Sequence, residues 1–327
     1  MTATRNIELD IMKGVAIVLV VIFHATRGFA DAGLIADTFT LQAFDAAAYS
    51  FHVQVFFLIS GMLVGFGVAS KTFRKGWELY RTYIIWSLIS GGTAVALAGA
   101  TNKSLTWVDL AMIPVVPIQH FWFLLYLVVA MFVGLLIKPK LLGAVGMLAL
   151  SGVLQAIGAE RWMFELPYWT AFYLAGAALY ADKQLPQARW WWDVTALVVL
   201  AGSAYYAAAN QVDIRSLMFL PASISGIYLL FSLAARLGGV AGTGALAFMG
   251  RNSLSIYVAH ILFSSGFRIV AQKLVPGFEP TILLVASIAV GVIGPLMMQV
   301  VLARLGLAAL FGFPKQSPLS GFGRSGD

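Results

Sequence analysis

The sequence predicts an all-α fold, a polytopic membrane helix bundle of about ten transmembrane helices with both termini on the cytoplasmic side. Three observations carry that prediction. The 327 residues are 60% hydrophobic and 11% charged, against about a quarter charged in soluble domains. The apolar residues fall in long blocks, near the ~20 residues a spanning helix needs. The blocks lack the alternation of barrel strands.

Taken in order, the apolar runs cover 14–26, 46–70, 82–102, 110–137, 141–159, 166–181, 194–212, 216–235, 252–267 and 280–303. The first is short, but Lys13 and Arg27 can snorkel from its two ends. It lacks a cleavage-site pattern and carries Lys13 and His24, so it reads as a retained span and not as a signal peptide. With the N-terminus inside, 15 of the 21 Lys and Arg fall in inner segments and 6 in outer ones. That asymmetry favours the N-in, C-in arrangement. Trp107, Trp122, Trp162, Trp169 and the run 190–192 lie near predicted boundaries, as interfacial aromatics do. No linker or repeat divides the chain, so one membrane domain is expected over 1–313. The tail 314–327, rich in Pro, Ser and Gly, is expected to be disordered.

Composition also excludes some chemistry. The chain has no cysteine, which removes disulfides, thiolate metal sites and a cysteine nucleophile. The net charge of +7 fits basic cytoplasmic loops. No Lys/Arg tract with interleaved aromatics points to nucleic acid.

Ionisable groups inside spans are costly and mark functional candidates. All four histidines, His24, His52, His120 and His260, lie in predicted spans. Lys13 and His24 are eleven residues apart, about three turns and ~16 Å, so they share a helical face. A cation near the cytoplasm and a titratable ring deeper in the membrane suit an anionic donor and a hydroxyl acceptor. A snorkelling anchor and a packed imidazole would give the same pattern. Asp10, three residues before Lys13, can pair with it. At ~21 Å along the helix it cannot orient His24; Asp45, Asp109 and Glu165 remain open as partners.

The second inner loop carries Lys71, Arg74, Lys75 and Arg81. It reads either as a phosphate site or as topology charges facing anionic lipid. Ser60-Gly61 permits close helix contact. His120-Phe121-Trp122-Phe123-Leu124 reads equally as an aromatic belt. Gly250-Arg251-Asn252-Ser253 opens the ninth run, with Asn252 or Ser253 as N-cap. That run carries Tyr257 and His260.

Together these segments resemble acyltransferase family 3, membrane O-acyltransferases that decorate surface and exported carbohydrates. Leu9-Asp10-Ile11-Met12-Lys13-Gly14 through Phe23-His24 is similar to the family's opening pattern, a basic residue, ten residues, then His. Phe51-His52 through Ile59-Ser60-Gly61 resembles its second block. Arg74 to Arg81 matches the Arg-rich inner loop loosely; the Pro common after it is absent, and Tyr83-Ile84-Ile85-Trp86 stands there. His120-Phe121-Trp122-Phe123-Leu124 and Gly250 through His260 resemble two later blocks. The resemblance runs in order over 5–267 and is nearest to short sugar O-acetylase-like members.

The resemblance implies transfer of an acyl group, with acetyl favoured, from cytoplasmic acyl-CoA to a carbohydrate or glycolipid hydroxyl. The location implied is the bacterial cytoplasmic membrane, and no metal is implied. His24 would be catalytic, with Lys13 and Asp10. Lys13, Arg74, Lys75 and Arg81 would hold the CoA phosphates. His52, Ser60, His120, Trp122, Asn252, Tyr257 and His260 would bind substrate or orient His24. Two rival classes remain: a polytopic transporter or channel without acyl chemistry, whose mark would be an inverted repeat, and a His-ligated haem or metal protein.

Overall fold

The computed structural model describes residues 6–64, 69–96, 105–179, 187–214, 216–240 and 242–314. Among these residues the fold is helical, with no strand. The helices are α1 (Ile7–Asp31), α2 (Phe39–Tyr49), α3 (His52–Val64), α4 (Ala69–Ala96), α5 (Trp107–Met112), α6 (Trp122–Leu136) and α7 (Lys140–Ala156). They continue with α8 (Arg161–Leu179), α9 (Trp190–Asn210), α10 (Leu220–Leu237), α11 (Gly244–Arg251), α12 (Ser253–Leu274) and α13 (Pro280–Arg304).

Among the described residues, seven helical segments are long and apolar enough to cross a membrane: α1, α2 with α3, Gln119–Leu136, α9, Leu217–Leu237, α12 and α13. The other three expected runs fall on α4, α7 and α8. Of these, α7 is an apolar helix of 17 residues, α4 carries the basic cluster, and α8 holds Arg161, Glu165 and Pro167. The ends of runs 46–70, 82–102 and 166–181 lie partly outside the described residues, as does the expected tail beyond 314.

Several boundaries differ from expectation, for local reasons. Helix α1 runs well beyond 14–26, because Lys13 and Arg27 are good helix formers and do not end it. The expected second span is two helices. Ser50 caps α2 with its N–H on Ala46 O and its Oγ on Ala47 O, and α3 restarts at His52. The expected fourth run breaks into α5, a turn, and a 3-10 turn at Gln119–Phe121 before α6. Pro114 and Pro117 in that turn explain the break, since proline lacks the N–H that a helix needs. Lys71, Arg74, Lys75 and Arg81 sit on α4 and not in a loop; all four are exposed.

The chain folds into two compact units, each assembled from separated segments. The first holds residues 1–16, 38–77 and 123–251. Its helices approach at glycines. A Cβ on Gly61 of α3 would stand 1.9 Å from the Tyr173 carbonyl of α8, and one on Gly176 of α8 would stand 1.9 Å from the Leu58 carbonyl of α3. The two glycines let the backbones meet on both sides of one crossing, the small-residue packing usual in membranes. The same device joins α1 to α11: Gly14 faces the Leu246 carbonyl and Gly250 the Asp10 carbonyl. Some buried polar groups meet across helices, with Gln54 Nε2 donating to Ser223 Oγ and the Tyr168 hydroxyl 3.0 Å from it. At one end Arg161 bridges Glu165 and Asp213, both at 2.6 Å.

The second unit holds residues 17–37, 78–122 and 252–327. Here α12 packs along α13, where Gly291 admits Ser264 and Gly294 admits the Phe263 ring. The turn between α5 and α6 is pinned to α4 by the Tyr83 hydroxyl on Ile113 O and Ser90 Oγ on Gln119 Oε1. The segment after α13 is held by Arg81 on Ala309 O and Trp86 Nε1 on Phe311 O, at 3.1 and 3.0 Å. Helix α5 opens on a capping box, with Thr106 and Asp109 each satisfying the other's backbone N–H.

Candidate active site

Within the second unit three imidazoles gather. Their ring centroids lie 5.2 Å apart for His24 and His260, 5.9 Å for His24 and His120, and 5.0 Å for His120 and His260. Each comes from a different part of the chain. His24 lies on α1, His120 in the 3-10 turn before α6, and His260 in the middle of α12. His24 is half-buried, whereas His120 and His260 are 5% and 0% exposed.

The position of His120 is fixed from several directions. Gln119 before it has φ 48°, in the left-handed region, a conformation that costs a bulky residue about 1–3 kcal/mol and persists only where the surroundings enforce it. Ser90 of α4 holds the Gln119 side chain at 2.8 Å. The Tyr257 hydroxyl of α12 donates to the His120 carbonyl, and the two rings meet edge to face at 5.2 Å. One turn on, the His260 ring turns Nδ1 back onto its own helix, 2.7 Å from Tyr257 O and 3.2 Å from Ile256 O. A carbonyl cannot donate, so Nδ1 carries the hydrogen and Nε2 is a bare lone pair.

A cavity of about 350 Å³ opens beside these rings, lined among others by His24, His120, Trp122, Arg27, Asp31 and Arg268. Sequence reasoning placed Arg27 at the outer interface and Arg268 in an outer loop. Both line this cavity, because α1 continues to Asp31 and α12 to Leu274. Arg268 is 5% exposed; its Nη1 donates to Gly28 O at 2.7 Å, and its guanidinium lies 5.7 Å from the Phe29 ring centre. Asp31 supplies a nearby opposite charge. One signal for Arg27 and Asp31 was available: they follow His24 by three and seven residues, on its helical face. None existed for Gln119 and Ser90, whose meeting depends on the α5–α6 turn.

The remaining expected residues are placed as follows. Asn252 is the N-cap of α12 without a side-chain capping bond, and its carbonyl accepts the Ser255 hydroxyl. His52 opens α3 in the first unit, with Nδ1 2.6 Å from Ala48 O and the Tyr49 ring at 5.1 Å. Ser60 is half-buried beside Gly61 at the α3–α8 crossing. Asp10 and Lys13 form the expected ion pair at 2.8 Å, and Asp10 is buried. Of the acids considered for His24, Glu165 is engaged by Arg161 and Asp109 by Thr106. Among the described residues no group of three His, Asp or Glu is arranged to hold a metal ion.

The family model of acyltransferase family 3, described as an acyltransferase domain, matches residues 6–300. The chain belongs to acyltransferase family 3. Every element of the imidazole cluster lies inside the family 3 match. Nodulation protein NolL of Mesorhizobium japonicum is 33% identical over 75 residues, which is 23% of this chain and 20% of that protein. The chain therefore aligns with about a fifth of that relative. No solved structure matches this family 3 chain.

Proposed function

We propose that this protein is a membrane O-acyltransferase that moves an acyl group, acetyl by preference, from cytoplasmic acyl-CoA to a hydroxyl of a surface or exported carbohydrate. The observation that supports it most is His24 lining a cavity beside two further imidazoles, in a chain of the acyltransferase family. His24 takes the proton of the acceptor hydroxyl as its oxygen attacks the thioester carbonyl. The new C–O bond forms, the C–S bond breaks, and the imidazolium returns the proton to the departing thiolate. His120 and Trp122 border the reacting groups; His260 and Tyr257 pack against His120 and are assigned to orienting it.

Lys13, Arg74, Lys75 and Arg81 are assigned to the CoA phosphates on their charge and on the family resemblance. Asp10 acts through Lys13, holding its ammonium and offsetting its charge until an anion competes for it. His52, Ser60 and Asn252 are assigned to substrate on the resemblance alone. The chain is read as one acyltransferase domain over 1–313 that crosses a bacterial cytoplasmic membrane ten times, with both termini inside.

The test supplies labelled acetyl-CoA to sealed vesicles of either orientation, with wild-type protein and His24→Ala. Label reaching carbohydrate only when CoA meets the cytoplasmic face, and only with His24 present, is the expected result. Absence of His24-dependent label in both orientations sinks the reading and favours a transport protein.

A further inference from the structure

We infer that His260 sets the tautomer of His120, and that His120 thereby presents a lone pair to the cavity that takes a second hydroxyl of the acceptor, adjacent to the one at His24. The acceptor class is then a vicinal diol and not a lone alcohol. The word acceptor rests on the reading above; the proton arrangement does not.

The argument counts protons on buried nitrogens. Among the described residues, neither ring nitrogen of His120 nor Nε2 of His260 has a hydrogen-bond partner. Buried polar atoms are rarely left so, and each case calls for an explanation. His260 Nε2 is an acceptor by necessity, because Nδ1 gives its hydrogen to the Tyr257 carbonyl. It needs a donor. A neutral imidazole has one N–H and one lone pair, so His120 can supply that donor across the 5.0 Å between the two rings. A hydrogen bond between the two rings would satisfy two of the three nitrogens. The third, a bare nitrogen on His120, remains for whatever enters the cavity, since His120 lines that cavity and His260 does not.

The cavity has a second imidazole. His24 lies 5.9 Å from His120 between ring centres. With ring centres at that separation, one nitrogen of each ring can face a hydroxyl oxygen at a hydrogen-bond length of ~2.8 Å. The two oxygens are then close neighbours, as on adjacent carbons of one sugar ring. The Tyr257 hydroxyl and the Ser90–Gln119 bond hold residue 120 where this geometry requires it.

The experiment uses the full chain in lipid nanodiscs with ¹⁵N-labelled histidine, since four histidines give a resolvable spectrum. Ring-nitrogen shifts distinguish N–H from bare nitrogen. We expect His260 as the Nδ1–H tautomer and His120 in a single tautomer. His260→Asn, which keeps a donor for the Tyr257 carbonyl but removes the Nε2 acceptor, leaves His120 as a mixture; His260→Gln, which restores an acceptor there, returns the single form. Added cis-1,2-cyclohexanediol shifts both His24 and His120, whereas cyclohexanol leaves His120 unmoved. The inference is overturned if His120 is indifferent to the His260 variants, if the mono-alcohol shifts it as the diol does, if the diol does not shift it at all, or if the rings carry bound metal. The readout is independent of acyl transfer, so it stands or fails apart from the enzymatic reading.

Discussion

At the scale of residues, His24 is the side chain whose removal has the clearest expected outcome. A general base contributes about 10²–10⁴-fold, so His24→Gln should lower transfer in membranes by that factor while leaving helix content and expression unchanged. Full activity in that variant would remove His24 from the reaction. Arg268 gives a complementary case. Its buried guanidinium makes a charge-assisted bond to the Gly28 carbonyl, and such bonds contribute about 1.5–3 kcal/mol. Arg268→Met should lower the thermal midpoint of the detergent-solubilised protein accordingly, and a midpoint equal to wild type would show that the bond does not matter for stability. The sequence made His24 legible through its spacing from Lys13. It left Arg268 among the topology charges, because the end of α12 was placed too early.

At the scale of elements, the helix crossings depend on glycines with carbonyls pressed against them. Gly61→Ala or Gly176→Ala places a methyl group within 1.9 Å of backbone oxygen at the α3–α8 crossing. Backbone cannot yield as a side-chain tip does, so each should destabilise by about 1–3 kcal/mol or more. Gly146→Ala, where a Cβ meets nothing within 4 Å, is the control. Equal unfolding midpoints for Gly61→Ala and Gly146→Ala would contradict the packing argument. The Ser60-Gly61 pair already signalled a close approach, but its partner Gly176 could not be named from sequence. At α5 the Thr106 hydrogen bonds hold the Asp109 carboxyl below its ordinary value of 3.8. A depressed folded value means that this cap stabilises the helix above the unfolded value and is lost as pH falls through the folded one. Protection of the α5 amides, taken relative to intrinsic exchange at each pH, should therefore fall in acid more in wild type than in Asp109→Asn.

At the scale of the whole molecule, the absence of native cysteine makes topology directly measurable. Single cysteines at Gln187 and Glu78 should react with an impermeant maleimide only from the cytoplasmic side, and one at Asp37 only from outside. Labelling of Asp37→Cys and Gln187→Cys from the same side would refute the ten-span, N-in arrangement. Ten apolar runs were readable because a bilayer demands long stretches without charge. Three of them fall on helices that are short or carry charged residues, where hydropathy alone does not decide between crossing the membrane and lying against other helices.

The sequence by itself determined the helical class, the apolar runs, the Asp10–Lys13 pair and the family, because each depends on residues near one another in the chain or on a pattern of composition. Tertiary structure decided the rest. Residues 24, 120 and 260 lie on three separate segments, and no periodicity links them. Their rings meet only because a proline-broken turn sets His120 at the head of α6 and Tyr257 on α12 holds its carbonyl there. Spacing along one helix is fixed by local geometry, whereas a cluster drawn from three segments is fixed by how those segments pack.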